Sequence, residues 1–223
     1  MKKWFHTLLL ALVAAGFLPG CDALNKLSDA KRNSSQGAPY EVVVICTQPQ
    51  WEGALGDTLR VILRAQDPYL NSAEPLFSLF QVTPRHLTKI VSDHRNRIDV
   101  DINPNYEQVS ADVQYDVASS PQVVLTLKAP TEGALTAYLS ENRSSLVQLF
   151  EKSERDRDIA YARNYNEKFI GEQIEKTFGV RMTVPKGYVL AKQSADFMWM
   201  RYEYPSASKG FLIYSYPYTG KMS

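Results

Sequence analysis

The seven-residue run Tyr40–Cys46 (YEVVVIC) is the strongest constraint on the fold. It is apolar and rich in β-branched residues, and it does not alternate with polar ones. A strand of that kind suits a sheet interior covered on both faces. Pro49 then suits the first turn of a helix. Trp51, Leu55, Leu59, Ile62 and Leu63 follow at helical spacing, forming one apolar stripe that ends near Ala65. A buried strand feeding an amphipathic helix requires a layered core.

The rest of the chain supplies the other layers. Asp67-Pro68 and Glu74-Pro75 bracket a loop, because a residue before proline avoids the helical region. Leu76–Val82 reads as a strand, and Thr83-Pro84 as the start of a short helix reaching about Asp93. Ile98, Val100 and Ile102 alternate with Arg97, Asp99, Asp101 and Asn103; Val109–Val117 alternates equally well. Such strands bury one face and wet the other, the habit of antiparallel sheets. Ser119-Ser120-Pro121 turns the chain into a further strand, Gln122–Lys128.

Thr131–Phe178 favours helix almost throughout, with a break predicted near Asn142–Ser145, where short polar side chains compete for backbone groups. Gly179 fits a helix C-terminal cap. Strands are predicted at Val180–Val184, Tyr188–Gln193, Phe197–Tyr204 and Phe211–Tyr218, joined by Pro185-Lys186-Gly187 and Ser206–Gly210. The expected class is therefore α+β. Largely antiparallel sheets pack with an N-terminal helix and a long central helix kinked near residue 142.

The N-terminus carries an address. Lys2 and Lys3 precede a short apolar core, Leu8–Leu18, and Gly20 is a small residue placed for cleavage. The following Leu18-Pro19-Gly20-Cys21 resembles the lipobox of bacterial lipoproteins, in which the cysteine becomes diacylated. The alternative is an ordinary signal peptide with an incidental cysteine. Cleavage removes Lys2 and Lys3, so the net charge of +1 becomes −1. A balanced charge offers no field for nucleic acid. Lipidation of Cys21 also leaves Cys46, the second of two cysteines, without an intramolecular partner.

The expected organisation is a signal peptide over 1–20 and a flexible tether over 21–38. A strand-rich half over 39–130 and a helix-plus-aromatic-strand half over 131–223 follow. Residues 22–38 (DALNKLSDAKRNSSQGA) are polar and lack a sustained period; as a flexible coil they reach roughly 20–25 Å.

Tyr40–Val44, Trp51–Leu59 (WEGALGDTL), Val82-Thr83-Pro84 and Gly210–Tyr218 (GFLIYSYPY) resemble domain-of-unknown-function family 4837, uncharacterised lipoproteins of Bacteroidetes. The likeness covers the body from about Tyr40 onward. It implies an envelope lipoprotein with no assigned activity and no functional residues to carry over. It also implies further chain beyond residue 223, making the aromatic strands the flank of a larger domain.

Catalytic and metal motifs fail on inspection. Asp99-x-Asp101-x-Asn103 opens like a calcium loop, but Pro104 stands where the turn needs glycine and Ser110 where a bidentate glutamate belongs. A solvated strand face explains the aspartates better. Cys46 with His86 or His94 as base would make a nucleophilic pair. A thiol ending an apolar strand, however, reads as a buried hydrophobe, and both histidines as surface residues. Lys152–Asp158 (KSERDRD) reads as a solvated helix face, with Glu151 and Arg155 spaced to pair. No catalytic residue, cofactor or metal ligand is indicated.

Tyr188–Tyr218 is different, holding nine aromatics in 31 residues. Trp199, Tyr202, Tyr204, Tyr214 and Tyr216 are the candidate binding face, suited to a glycan or a peptide. Against this stands the preference of aromatics for strands and sheet cores. The functional expectation is a membrane-anchored lipoprotein of the cell envelope, facing the periplasm or in the outer membrane. It would act as a non-enzymatic binding or assembly module. The alternative is a hydrolase-like enzyme of unrecognised type, which would show a deep cleft with convergent titratable groups.

Overall fold

The computed structural model describes residues 33–220 except 69, 206 and 207. The signal segment and Cys21 therefore lie outside the described residues. The chain divides into two compact units between Phe150 and Glu151. The class is α+β, as expected, with antiparallel strands in both units.

The first unit is built on a five-stranded sheet in which the strands lie in the spatial order 78–82, 41–45, 96–102, 123–129 and 110–115. Its strands are β2 (Glu41–Ile45), β3 (Ser78–Val82), β4 (Asn96–Ile102), β5 (Ser110–Tyr115) and β7 (Val123–Ala129). A second, two-stranded ladder pairs β1 (Asn33–Ser34) with β6 (Ser119–Ser120). The antiparallel habit holds at β5, which pairs with β7. β3, β2, β4 and β7, by contrast, run parallel. The alternation in β4 did not mark a wet face. Arg97 donates to both carboxylate oxygens of Asp99, at 2.8 and 2.9 Å, and to Ser92 O at 3.0 Å. Mutually satisfied charges can occupy an interior strand.

The helices begin at α1 (Gln48–Glu52), where Thr47 and Gln50 form a reciprocal cap. The predicted single stripe is split at Gly53, and α2 (Ala54–Leu63) carries Leu55, Leu59, Ile62 and Leu63 into the core. Gly56 explains the tight junction, since a Cβ there would lie 1.9 Å from the Trp51 carbonyl oxygen. The predicted helix to Asp93 is instead a 3₁₀ turn, Pro84–His86, followed by α3 (Lys89–Ser92). α4 (Glu132–Glu141) and α5 (Arg143–Asn164) meet at Asn142, where the break was predicted. The core joins Val42, Val44 and Cys46 to Ile98, Leu125, Leu127, Leu135, Leu139, Leu146 and Phe150.

The second unit takes up α5 from Glu151 and continues with α6 (Lys168–Phe178), which Gly179 ends in the left-handed conformation at φ +69°. A break before α6, at Tyr165–Glu167, interrupts what the sequence reads as one helix. β8 (Val189–Gln193), β9 (Phe197–Glu203) and β10 (Ser208–Tyr214) form an antiparallel sheet of order β10-β9-β8. Val180–Val184 forms no strand; Arg181 donates to Glu175 at 2.8 Å instead. The core is Ile170 and Ile174 of α6 with Val184, Met198 and Met200. Glu154 of α5 is buried and pairs with Arg157 at 2.8 Å, so that stretch is not wholly solvated.

Candidate functional site

Strand register decides what the aromatic strands present. Met198 lies opposite Ile213 and Met200 opposite Phe211, placing these four on one side. Met198 and Met200 are fully buried, so this is the core side. The other side carries Phe197 opposite Tyr214 and Trp199 opposite Leu212. Trp199 is 39% exposed, Leu212 61% and Tyr214 66%. Val189 adds to this open side opposite Arg201, and Lys192 lies opposite Trp199. Methionine, not the aromatics, fills the centre of the core. The result is an apolar strip with Lys192 beside it and with Arg201 paired to Glu203 at 3.0 Å on the same side.

The five candidate residues do not form one face. Trp199 and Tyr214 share the open side, and Tyr216 stacks on Tyr214 with ring centroids 6.1 Å apart. Tyr202 lies on the core side and joins a separate aromatic group. Its ring is 5.5 Å from Tyr188 and 4.5 Å from Tyr204, and Phe211 lies 5.3 Å from Tyr188. Gly187 permits this packing, since a Cβ there would lie 2.4 Å from the Tyr202 ring. Partial burial pushes the Tyr188 hydroxyl up, with Lys209 acting in the opposite sense.

The first unit holds a constellation that motif reading misses. Asp93, His94, Asn96, Ser119 and Gln122 are all buried polar residues at the N-terminal end of the parallel ladder. His94, expected at the surface, is 7% exposed, whereas His86 is exposed as expected. The group is internally satisfied. Asn96 Nδ2 donates to Glu41 O at 2.8 Å, and Ser119 Oγ to Asp93 O at 2.7 Å. Gln122 Nε2 donates to Ser92 O and His94 O at 2.6 and 2.8 Å. Such networks fix an arrangement of backbone. The only sequence signal was polar residues at the mouth of an apolar strand.

Cys46 is fully buried. Burial first, then the Glu132 carboxylate, pushes its thiol up to about 11, with Arg60 acting against them. Neither histidine is among its hydrogen-bond partners; its carbonyl accepts from Gln81 Nε2 at 2.8 Å. The aspartates of the rejected calcium loop are occupied too, Asp99 by Arg97 and Asp101 by the Tyr106 hydroxyl. Among the described residues, no group of three His, Cys, Asp or Glu side chains is placed to hold a metal ion.

An open apolar hollow of about 280 Å³ lies between the β5–β7 hairpin and the α4–α5 elbow, lined by Ala111, Val113, Leu127, Tyr138, Leu146 and Leu149 among others. It gathers no cluster of titratable groups. Among the described residues, no helix is long and apolar enough to cross a membrane.

Neither a curated protein nor a solved structure matches the chain. The expected likeness to family 4837 is found over residues 167–223, described as a domain of unknown function. The segments from Tyr40 to Pro84 fall within a different match. Over residues 35–163, more than half of its length, the chain belongs to the family described as Domain of unknown function (DUF8532).

Proposed function

We propose that this chain is an envelope lipoprotein, held to a membrane through a diacylated Cys21, whose folded units act as a binding or assembly module rather than as an enzyme. The lipobox-like Leu18–Cys21 supports the anchor. More than one acyl chain makes such anchoring stable, at about 0.8 kcal/mol per buried CH₂. Replacing Cys21 with Ala should release the protein from the membrane fraction.

The observation that carries the binding reading is the open side of β9 and β10. Trp199, Leu212, Phe197 and Tyr214 sit there side by side, with Lys192 and Arg201 beside them. Monomers seldom leave so continuous an apolar strip without a use. Aromatic platforms with polar tips suit a glycan ring or an extended peptide. The test is cosedimentation of the full chain with purified peptidoglycan, and capture on immobilised unstructured peptides. Trp199→Ala with Tyr214→Ala should lower retention roughly tenfold, the loss expected of a central aromatic anchor. Unchanged retention on both would remove this face from the reading.

A further inference from the structure

β10 is the outer strand of its sheet, paired with β9 on one side and, among the described residues, with no strand on the other. The ladder fixes which of its backbone groups are spare. Ser215 N donates to Asp196 O at 2.9 Å, continuing the register in which Tyr214 lies opposite Phe197. Bonded and non-bonded pairs alternate along an antiparallel ladder. Ile213, Phe211 and Lys209 therefore bond to β9, whereas Tyr214, Leu212 and Gly210 turn their N–H and C=O off the free edge. The neighbouring hairpin agrees. Ser194 N donates to Phe197 O at 2.8 Å, so Phe197 and Trp199 bond toward β8, and Met198 and Met200 toward β10.

The residues with spare backbone groups are also those that face the open side. Leu212 and Tyr214 are largely exposed there. Gly210 leaves a notch in the strip, and a Cβ at that position would lie 3.2 Å from Trp199 Nε1. The indole of β9 thus reaches over to the edge strand. An unpaired strand edge is a template for another chain. Charge narrows the choice of that chain. β10 reads Ser-Lys-Gly-Phe-Leu-Ile-Tyr and contains no carboxylate. Among the described residues Lys209 has no carboxylate partner, and its ammonium lies 5.5 Å from the Tyr204 ring. A second copy of β10 has no acid to offer it.

We propose that the free edge of β10 takes up an extended peptide as an added antiparallel strand, apolar at alternate residues and acidic opposite Lys209. This rests on the binding reading of the open side and selects a peptide over a glycan, because a sugar carries no periodic row of amides to meet Leu212 and Tyr214. Peptide residues opposite Tyr214, Leu212 and Gly210 exchange both backbone bonds and place their side chains on the open side. The one opposite Gly210 enters the notch and packs on the Trp199 ring. The one opposite Lys209 falls on the other side, beside the ammonium.

The probe is the capped peptide Val-Thr-Val-Thr-Phe-Glu. Antiparallel to β10, it sets its valines against Tyr214 and Leu212, its phenylalanine against Gly210 and its glutamate against Lys209. Calorimetric titration into the full chain measures its affinity. N-methylation of the second valine or of the phenylalanine removes a hydrogen bond to β10 and should weaken binding about tenfold. N-methylation of either threonine, whose N–H points away from β10, should change it by less than about twofold. Leu212→Pro removes an N–H that faces away from β9, a substitution that edge strands tolerate. It should cost a similar factor while Met198 and Met200 keep their amide protection. Should that protection be lost, the methylated peptides carry the test alone.

No measurable binding of the unmodified peptide, or equal tolerance of methylation at all four positions, overturns the proposal. So does self-association of the chain that Leu212→Pro abolishes, which would give the edge to a second copy. Trp199→Ala with Tyr214→Ala is read in the same titration. Weaker binding there without the methylation pattern keeps the open side and removes the edge. The methylation pattern with undiminished binding keeps the edge and removes the aromatic strip.

Discussion

Glu132 Oε1 accepts a hydrogen bond from the Leu55 backbone N–H at 3.1 Å, so a carboxylate from the first turn of α4 caps the start of α2. The α2 N-cap, Gly53, has no side chain with which to do this itself. A negative charge at a helix N-terminus is also favoured by the helix dipole. The cap ties the start of α2 to the start of α4.

Removing that cap should therefore cost stability. Glu132→Ala is expected to destabilise the protein by about 1 kcal/mol, the usual worth of an N-cap. Glu132→Gln keeps an acceptor oxygen and should cost less. Urea denaturation of the two variants beside the parent measures both. Equal stability of all three would mean that water serves Leu55 N–H as well as Glu132 does.

Cys46 gives a pH prediction with a definite sign. Its thiol is raised from 9.0 to about 11 in the folded protein. Between those values the unfolded chain has lost a proton that the folded chain keeps, so stability falls as pH rises. The contribution is whole below about pH 9 and gone above about 11. Cys46→Ala should lower stability overall yet flatten its decline through this window, as thermal melts at several pH values would show. A thiol reagent at neutral pH should label the folded chain far more slowly than the unfolded one. Rapid native labelling would contradict the burial.

How much of this was legible in the residues depended on whether polar positions are paired. Tyr40–Cys46 announced an interior strand because apolar residues on both faces have one physical solution. Leu55, Leu59, Ile62 and Leu63 were equally plain. Asn142 marked its helix break by back-bonding to Tyr138 O at 2.9 Å. β4 misled, because Arg97 and Asp99 satisfy each other inside the sheet, and pairing leaves no trace in periodicity. His94 was misplaced for the same reason, since Glu41, 53 positions away, supplies its partner. For Trp199, Tyr202, Tyr204, Tyr214 and Tyr216, strand alternation was visible but register was not. Alternation alone puts Trp199 and Tyr202, three apart on β9, on opposite faces; only register places Tyr214 on the side of Trp199.

The junction of α1 and α2 should resist even a small addition. At Gly56 an added Cβ meets the backbone of Trp51, with its carbonyl oxygen at 1.9 Å. A carbonyl cannot swing aside as a flexible side chain can, so the two helices must part. Gly56→Ala is expected to cost about 1–3 kcal/mol, the range for an overpacked core, despite the better helix propensity of alanine. Parting the helices also disturbs Trp51, whose ring sits 4.6 Å from the Arg60 guanidinium. A changed near-ultraviolet circular dichroism signal should accompany the lost stability. A stabilised Gly56→Ala would show that the junction has room.

The two sides of β9 should respond oppositely to truncation. Met198 and Met200 are fully buried against Ile170 and Ile174, with nothing but core around them. Truncating either to alanine removes buried atoms and leaves a hole, costing about 2–5 kcal/mol. Methionine is flexible and its neighbours can close in, which favours the lower end of that range. Trp199 and Tyr214 lie on the opposite side, 39% and 66% exposed. Their replacement by alanine removes cross-strand contacts and little burial. Tyr214→Ala should stay within about 0.5 kcal/mol of the parent. Trp199→Ala should cost up to about 1 kcal/mol more, because its ring still covers part of the sheet. Urea denaturation followed at the second unit's own tryptophan is blind to Trp199→Ala, since Trp199 is that tryptophan, so amide exchange of Ile174 and Met200 is the common readout. A large loss of protection in Tyr214→Ala would mean that the open side is a structural face and not a free surface. Loss confined to Met198→Ala and Met200→Ala leaves Trp199 and Tyr214 available for a ligand.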